Sequence, residues 1–179
     1  MAARLLWQGR AKCKVFMNSV YVLLANSDRR TNNIIEVAIR DACYEQVHLE
    51  CLTTFRLDEV LHRGCSDEFA LIFLAADNLI SGPPRYASHC GPSDVARAIR
   101  SIKKVRPVSI MAVGVLPQDE PLLLEAGAER VFGILLDRDE LKAEVRRALN
   151  LPEPVAEAES SRWSLTSGLL RGFQRLRQS

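Results

Sequence analysis

No stretch of this chain approaches the roughly 18–20 consecutive apolar residues that cross a bilayer, which excludes a helical membrane span. The opening, Met1 to Phe16, is interrupted by Arg4, Gln8, Arg10, Lys12 and Lys14, so it lacks the apolar core of a secretory signal. No CxxC pair occurs. The five cysteines, at 13, 43, 51, 65 and 90, are odd in number and scattered, which argues against a disulfide framework and fits buried thiols in a reducing compartment. Histidine is scarce: His48, His62 and His89 lie far apart, and His89-Cys90 are adjacent, poor geometry for sharing one ion. No Ser/His/Asp or Cys/His set can be assembled. After the first apolar run comes Asn26-Ser27-Asp28-Arg29-Arg30-Thr31, with no glycine for a flavin-phosphate loop or dinucleotide fingerprint, and no histidine for a cobalamin site. Arg29 and Arg30 read as a solvated pair, with anion binding at the helix start as the sharper alternative. No cofactor and no metal are expected.

A broad basic face is also missing. The 24 basic and 22 acidic residues give a net charge of +2, but their distribution is uneven. Residues 1–14 hold four basic residues and no acid, and residues 161–179 hold four more (Arg162, Arg171, Arg175, Arg177) and no acid. The acidic residues therefore all lie in the body between two basic ends. This is not the pattern of a nucleic-acid-binding domain, although the ends suit acidic contacts.

What the chain has is a set of apolar runs separated by amphipathic ones. Phe69-Ala70-Leu71-Ile72-Phe73-Leu74-Ala75-Ala76-Asp77 is apolar to its last residue, without period-2 alternation, as a strand buried on both faces of a parallel sheet reads. Before it come a strand over 20–25, a helix over 31–44 with Ile34, Ile35, Ala38 and Ile39 inward and Thr31 as N-cap, a strand over 47–53, and a short helix over 57–64 stopped by Gly64. After it come a long loop, 77–92, and a helix to Lys104 capped by Ser93. A strand over 107–114 follows, then a helix opened by Pro117, a strand over 131–136, and a helix over 138–149 capped by Asp137. Five strands alternating with five helices predict an α/β fold. The expected form is a five-stranded parallel sheet in a three-layer α/β/α, flavodoxin-like arrangement with order 2-1-3-4-5.

The chain divides into a basic N-terminal arm (1–18), this domain (19–151), an acidic Pro-bearing linker (152–161) and a basic amphipathic tail (162–179). In the tail, Leu165, Leu169, Phe173 and Leu176 fall on one side of a helix, with Trp163 near its start and Arg171 and Arg175 opposite. Gly168 and Gly172 each weaken that helix by roughly 1 kcal/mol, so the segment is expected to order when it docks.

Pro107-Val108-Ser109-Ile110-Met111-Ala112-Val113, followed by Leu124-Glu125-Ala126-Gly127-Ala128-Glu129-Arg130-Val131, resembles the receiver domain of bacterial response regulators, and the likeness extends over about residues 19–150. The resemblance implies an acid pair holding Mg²⁺ after the first strand and a phosphoacceptor Asp ending the third. It also implies a hydroxyl after the fourth strand and a Lys ending the fifth. Here the first position carries Ala25, Asn26 and Ser27, with Asp28 beyond. The second falls on Ala75 or Ala76, with Asp77 one residue late, and the third on Ala112 or Val113. The fourth falls on Ile134, and no Lys occurs between 105 and 141.

The expectation is therefore a degenerate receiver: non-catalytic, independent of phosphorylation, cytoplasmic, and working through protein partners. Homodimerisation is one expected mode, and docking of the tail on a partner or an anionic membrane surface is another. The competing expectation is a small-ligand sensor or enzyme using the crevice at the strand carboxyl ends, with the 77–92 loop as its lid.

Overall fold

The computed structural model describes residues 19–43 and 48–151. Five parallel strands form one sheet: β1 (Ser19–Ala25), β2 (His48–Thr54), β3 (Leu71–Ala75), β6 (Ser109–Val113) and β7 (Arg130–Val131), in the order β2-β1-β3-β6-β7. Side chains alternate across it. Val22, Leu24, Leu71, Phe73, Met111 and Val113 pack against α1 (Arg29–Cys43) and α5 (Arg138–Ala148). Leu23, Ile72, Leu74, Ile110 and Ala112 pack against α2 (Leu57–Ser66), α3 (Pro92–Val105) and α4 (Glu120–Glu125). This is the expected three-layer arrangement. β3 is buried throughout, as its unbroken apolar run requires. No helix among the described residues is long and apolar enough to cross a membrane.

Several local expectations need correction. Asp28, not Thr31, caps α1, because its carboxylate accepts the N–H groups of Arg30 and Thr31 at 3.1 Å each. The inner face of α1 is Ile35, Ala38, Ile39 and Ala42, and Ile34 is half exposed at its edge. Gly64 does not stop α2, which runs on to Ser66. A Cβ on Gly64 would lie 2.8 Å from Ile102 Cδ1, so glycine there lets α2 and α3 approach. Gly91 rather than Ser93 precedes the first turn of α3, with Pro92 first in the helix and the Asp94 carboxylate accepting the Gly91 N–H at 3.2 Å. Pro121, not Pro117, sits in the first turn of α4. That helix ends at Gly127 (φ 106°), with the Ala128 N–H on the Leu123 carbonyl and the Gly127 N–H on Leu124.

The largest departures flank the strand ends. The fifth strand is not 131–136: β7 has two residues, and Ile134 and Leu135 beyond it are exposed. The long loop contains an unexpected hairpin, β4 (Ile80–Ser81) with β5 (Ser88–His89). It is tied down from within by buried Leu79 and Cys90, and at its base by the Ile80 N–H on the Phe55 carbonyl at 3.0 Å and Arg56 Nη2 on the Gly82 carbonyl at 2.7 Å.

Candidate functional site

The carboxyl ends of β1, β3 and β6 bring together most of the positions singled out from the sequence. Asn26 follows β1 and is buried; its N–H donates to the Thr54 carbonyl at 2.9 Å, and its Oδ1 accepts the Asp28 N–H at 2.9 Å. Ser27 is exposed. Asp28 is fully engaged in starting α1. Oδ1 accepts from Arg30, and Oδ2 accepts from the Thr31 N–H and, at 2.6 Å, from the Thr31 hydroxyl. Those bonds, the Thr31 hydroxyl foremost, hold the Asp28 carboxyl below its usual range.

After β3, Ala76 is buried and its N–H donates to the Val113 carbonyl at 3.0 Å. Asp77 is exposed beside the end of β6, where its Oδ1 lies 3.6 Å from the place a Cβ on Gly114 would take. Ala112 is fully buried within β6, paired with Leu74 and Val131 in register. Ile134 stands apart from this group, 68% exposed past β7. The tail residues Trp163, Leu165, Leu169, Arg171, Phe173, Arg175 and Leu176 lie outside the described residues.

Two polar residues at this end escaped the sequence reading. Asn32, in α1, is buried; its amide N donates to the Asn26 carbonyl at 3.1 Å, and its Oδ1 has no partner among the described residues. Its register with Ile35 and Ile39 was the signal for burial. Glu59, near the start of α2, accepts the Thr54 hydroxyl at 2.6 Å and the Arg63 Nε–H at 2.8 Å, which hold its carboxyl low. Among the described residues, no three His, Cys, Asp or Glu side chains converge as a metal site requires.

No protein-family model matches the chain, and no curated protein matches its sequence. Solved structures do match in shape. The receiver domain of a Pseudomonas aeruginosa sensor histidine kinase, solved with a magnesium ion in its active-site cleft, superposes with a TM-score of 0.54 at 17% identity, over 74% of this chain and 98% of that one. The receiver domain of NtrX from Brucella abortus gives a TM-score of 0.56 at 17% identity, over 73% and 99% of the two chains. A protein described as a CpaE2 pilus assembly protein from Sinorhizobium meliloti gives 0.54 at 13% identity, over 72% and 99%.

The chain has a receiver-like fold. At these identities the likeness is one of fold, and side chains decide what the fold can do. A receiver's Mg²⁺ would need carboxylate oxygens free at the end of β1. Here Asn26 supplies an amide, and both oxygens of Asp28 already accept hydrogen bonds from the first turn of α1. Among the described residues the ion would thus meet one carboxylate directly after β1, that of Asp28, with Asp77 after β3.

Proposed function

We propose that this chain is a receiver-fold regulatory module that acts through protein contacts without phosphotransfer, docking a partner through its surface and its C-terminal basic tail. The observation that carries this reading is the commitment of Asp28 to capping α1. With Asn26 in place of an acid after β1 and no Lys between residues 105 and 141, the positions that would bind Mg²⁺ and offset phosphoryl charge around Asp77 carry other residue types. Buried Ala112 and exposed Ile134, where the resemblance places a hydroxyl and a Lys, support the same conclusion. The tail contributes apolar area through Leu165, Leu169, Phe173 and Leu176, with Trp163, and attraction through Arg171 and Arg175.

Incubation with a small phosphodonor and Mg²⁺ should leave the intact mass unchanged, and a stable adduct on Asp77 would overturn the reading. Affinity capture with and without residues 161–179 should lose a protein partner on truncation. Binding to anionic vesicles alone would shift the assignment to a membrane surface, and a concentration-dependent mass in solution would identify self-association.

A second reading, a small-ligand sensor or enzyme, draws on a cavity of about 280 Å³ between the hairpin, α2 and α3, where Ser88, His89, Asp94, Arg97 and Ser101 stand over Leu57 and Leu61. A small molecule retained in native mass spectrometry, and lost on replacing Arg97 and Asp94, would favour it.

A further inference from the structure

At the opposite end of the sheet, beside the amino-terminal halves of β1 and β2 and the end of α2, lies a groove of about 500 Å³. Its floor is apolar: Leu52, Phe69 and Tyr21, which is 43% exposed although β1 is buried from Val22 onward. Its rim is acidic, with Glu50, Asp67 and Glu68. The one lining cation among the described residues, Arg63, is already held by Glu59 at 2.8 Å and lies 3.7 Å from Asp67, so the described rim remains net negative. The groove borders β2, the open edge of the sheet, whose unpaired N–H and C=O groups folded chains commonly cover.

We propose that this groove receives the chain's own N-terminal arm, with Trp7 as the apolar anchor and Arg4, Arg10, Lys12 and Lys14 facing the carboxylates. Three observations select this occupant. The arm joins β1 at Ser19, two residues before groove-lining Tyr21, so its local concentration is high. It carries four basic residues and no acid, complementary to the rim. Trp7 precedes Ser19 by twelve residues. That length reaches up to about 40 Å, ample against a domain radius of gyration of about 14 Å. The linker and tail lack this match at their near end, because the chain leaves α5 into an acidic stretch that the rim would repel. The docked arm would shield the apolar floor and the β2 edge from other chains. The inference stands apart from the proposed function, since it involves neither the strand carboxyl ends nor the tail.

The chain has two tryptophans, Trp7 and Trp163, so the full-length Trp163→Phe protein reports on the arm alone. Trp7 emission should be blue-shifted and weakly quenched by acrylamide at low salt, and both effects should lessen at high salt. Reversing the rim with Glu50→Arg and Glu68→Arg should red-shift the emission and raise quenching several-fold without altering the far-ultraviolet circular dichroism. Reversing the arm instead, with Arg10→Glu and Lys12→Glu, should do the same without touching the folded domain, and combining both reversals should restore protection. Fully solvated Trp7 in the starting protein would overturn the proposal, as would protection that neither reversal moves. Protection lost on dilution would assign the groove to a second copy's arm and overturn the intramolecular form.

Discussion

The two ends of the sheet differ in what their carboxylates are doing. At the carboxyl end, where open α/β sheets usually place their chemistry, Asp28 is consumed in starting a helix and Glu59 is held by Thr54 and Arg63. At the amino end, Glu50, Asp67 and Glu68 surround an apolar groove whose one lining cation among the described residues, Arg63, is already engaged. The backbone is receiver-like at both ends. A parallel sheet needs apolar strands and crossover helices, and neither requirement specifies the polar residues at its rims. The fold can therefore persist while acidic residues gather at the end opposite the expected site.

The largest effect that sharpens this contrast lies between the two ends. Phe73→Ala should destabilise by about 3–5 kcal/mol in urea denaturation, since the ring is fully buried in β3. Asp77→Ala, four residues on and exposed, should change stability by no more than about 0.5 kcal/mol. A large cost at Asp77 would reveal a carboxylate engaged like those of Asp28 and Glu59. Next is Gly64→Val, which must push against Ile102 and should cost about 1–3 kcal/mol. Pairing it with Ile102→Val should recover part of that loss.

A smaller effect tests whether Asp28 serves the helix alone. Its folded pKa is depressed, so the stabilisation is present above the ordinary Asp range and is lost as pH falls through the folded value. Melting temperature measured from pH 7 to pH 3 should therefore decline more steeply for the parent than for Asp28→Asn, which still caps but does not titrate. Parallel curves would mean the carboxylate contributes nothing as a charge. The smallest effect concerns thiols. Burial pushes Cys51 up to about 11 and raises Cys43 and Cys90, so all three should alkylate slowly at neutral pH in mass-resolved labelling.

The strand cores were legible because burial on both faces leaves an unbroken apolar run, as in Leu71–Ala75, and strand order followed from the alternation of elements. Asn26, Ala76 and Asp77 do lie at neighbouring strand ends. Boundaries were less legible. Ile134 and Leu135 read as strand because they are apolar, yet β7 stops at Val131 and leaves them exposed. The hairpin within 77–92 was missed because its two-residue strands carry no periodicity.

The sequence by itself determined the layer architecture, the parallel sheet and the residue types at the ends of its strands. These depend on apolar periodicity and residue identity, which are local properties of the chain. Only the tertiary structure decided that Asp28 caps α1, that Asn32 is buried against Asn26, and that Tyr21, Leu52 and Phe69 share a groove rimmed by Glu50, Asp67 and Glu68. The last of these joins residues up to 48 positions apart, from two strands, a helix end and a loop. Such a juxtaposition is set by strand order and helix docking, and no local pattern in the chain encodes it.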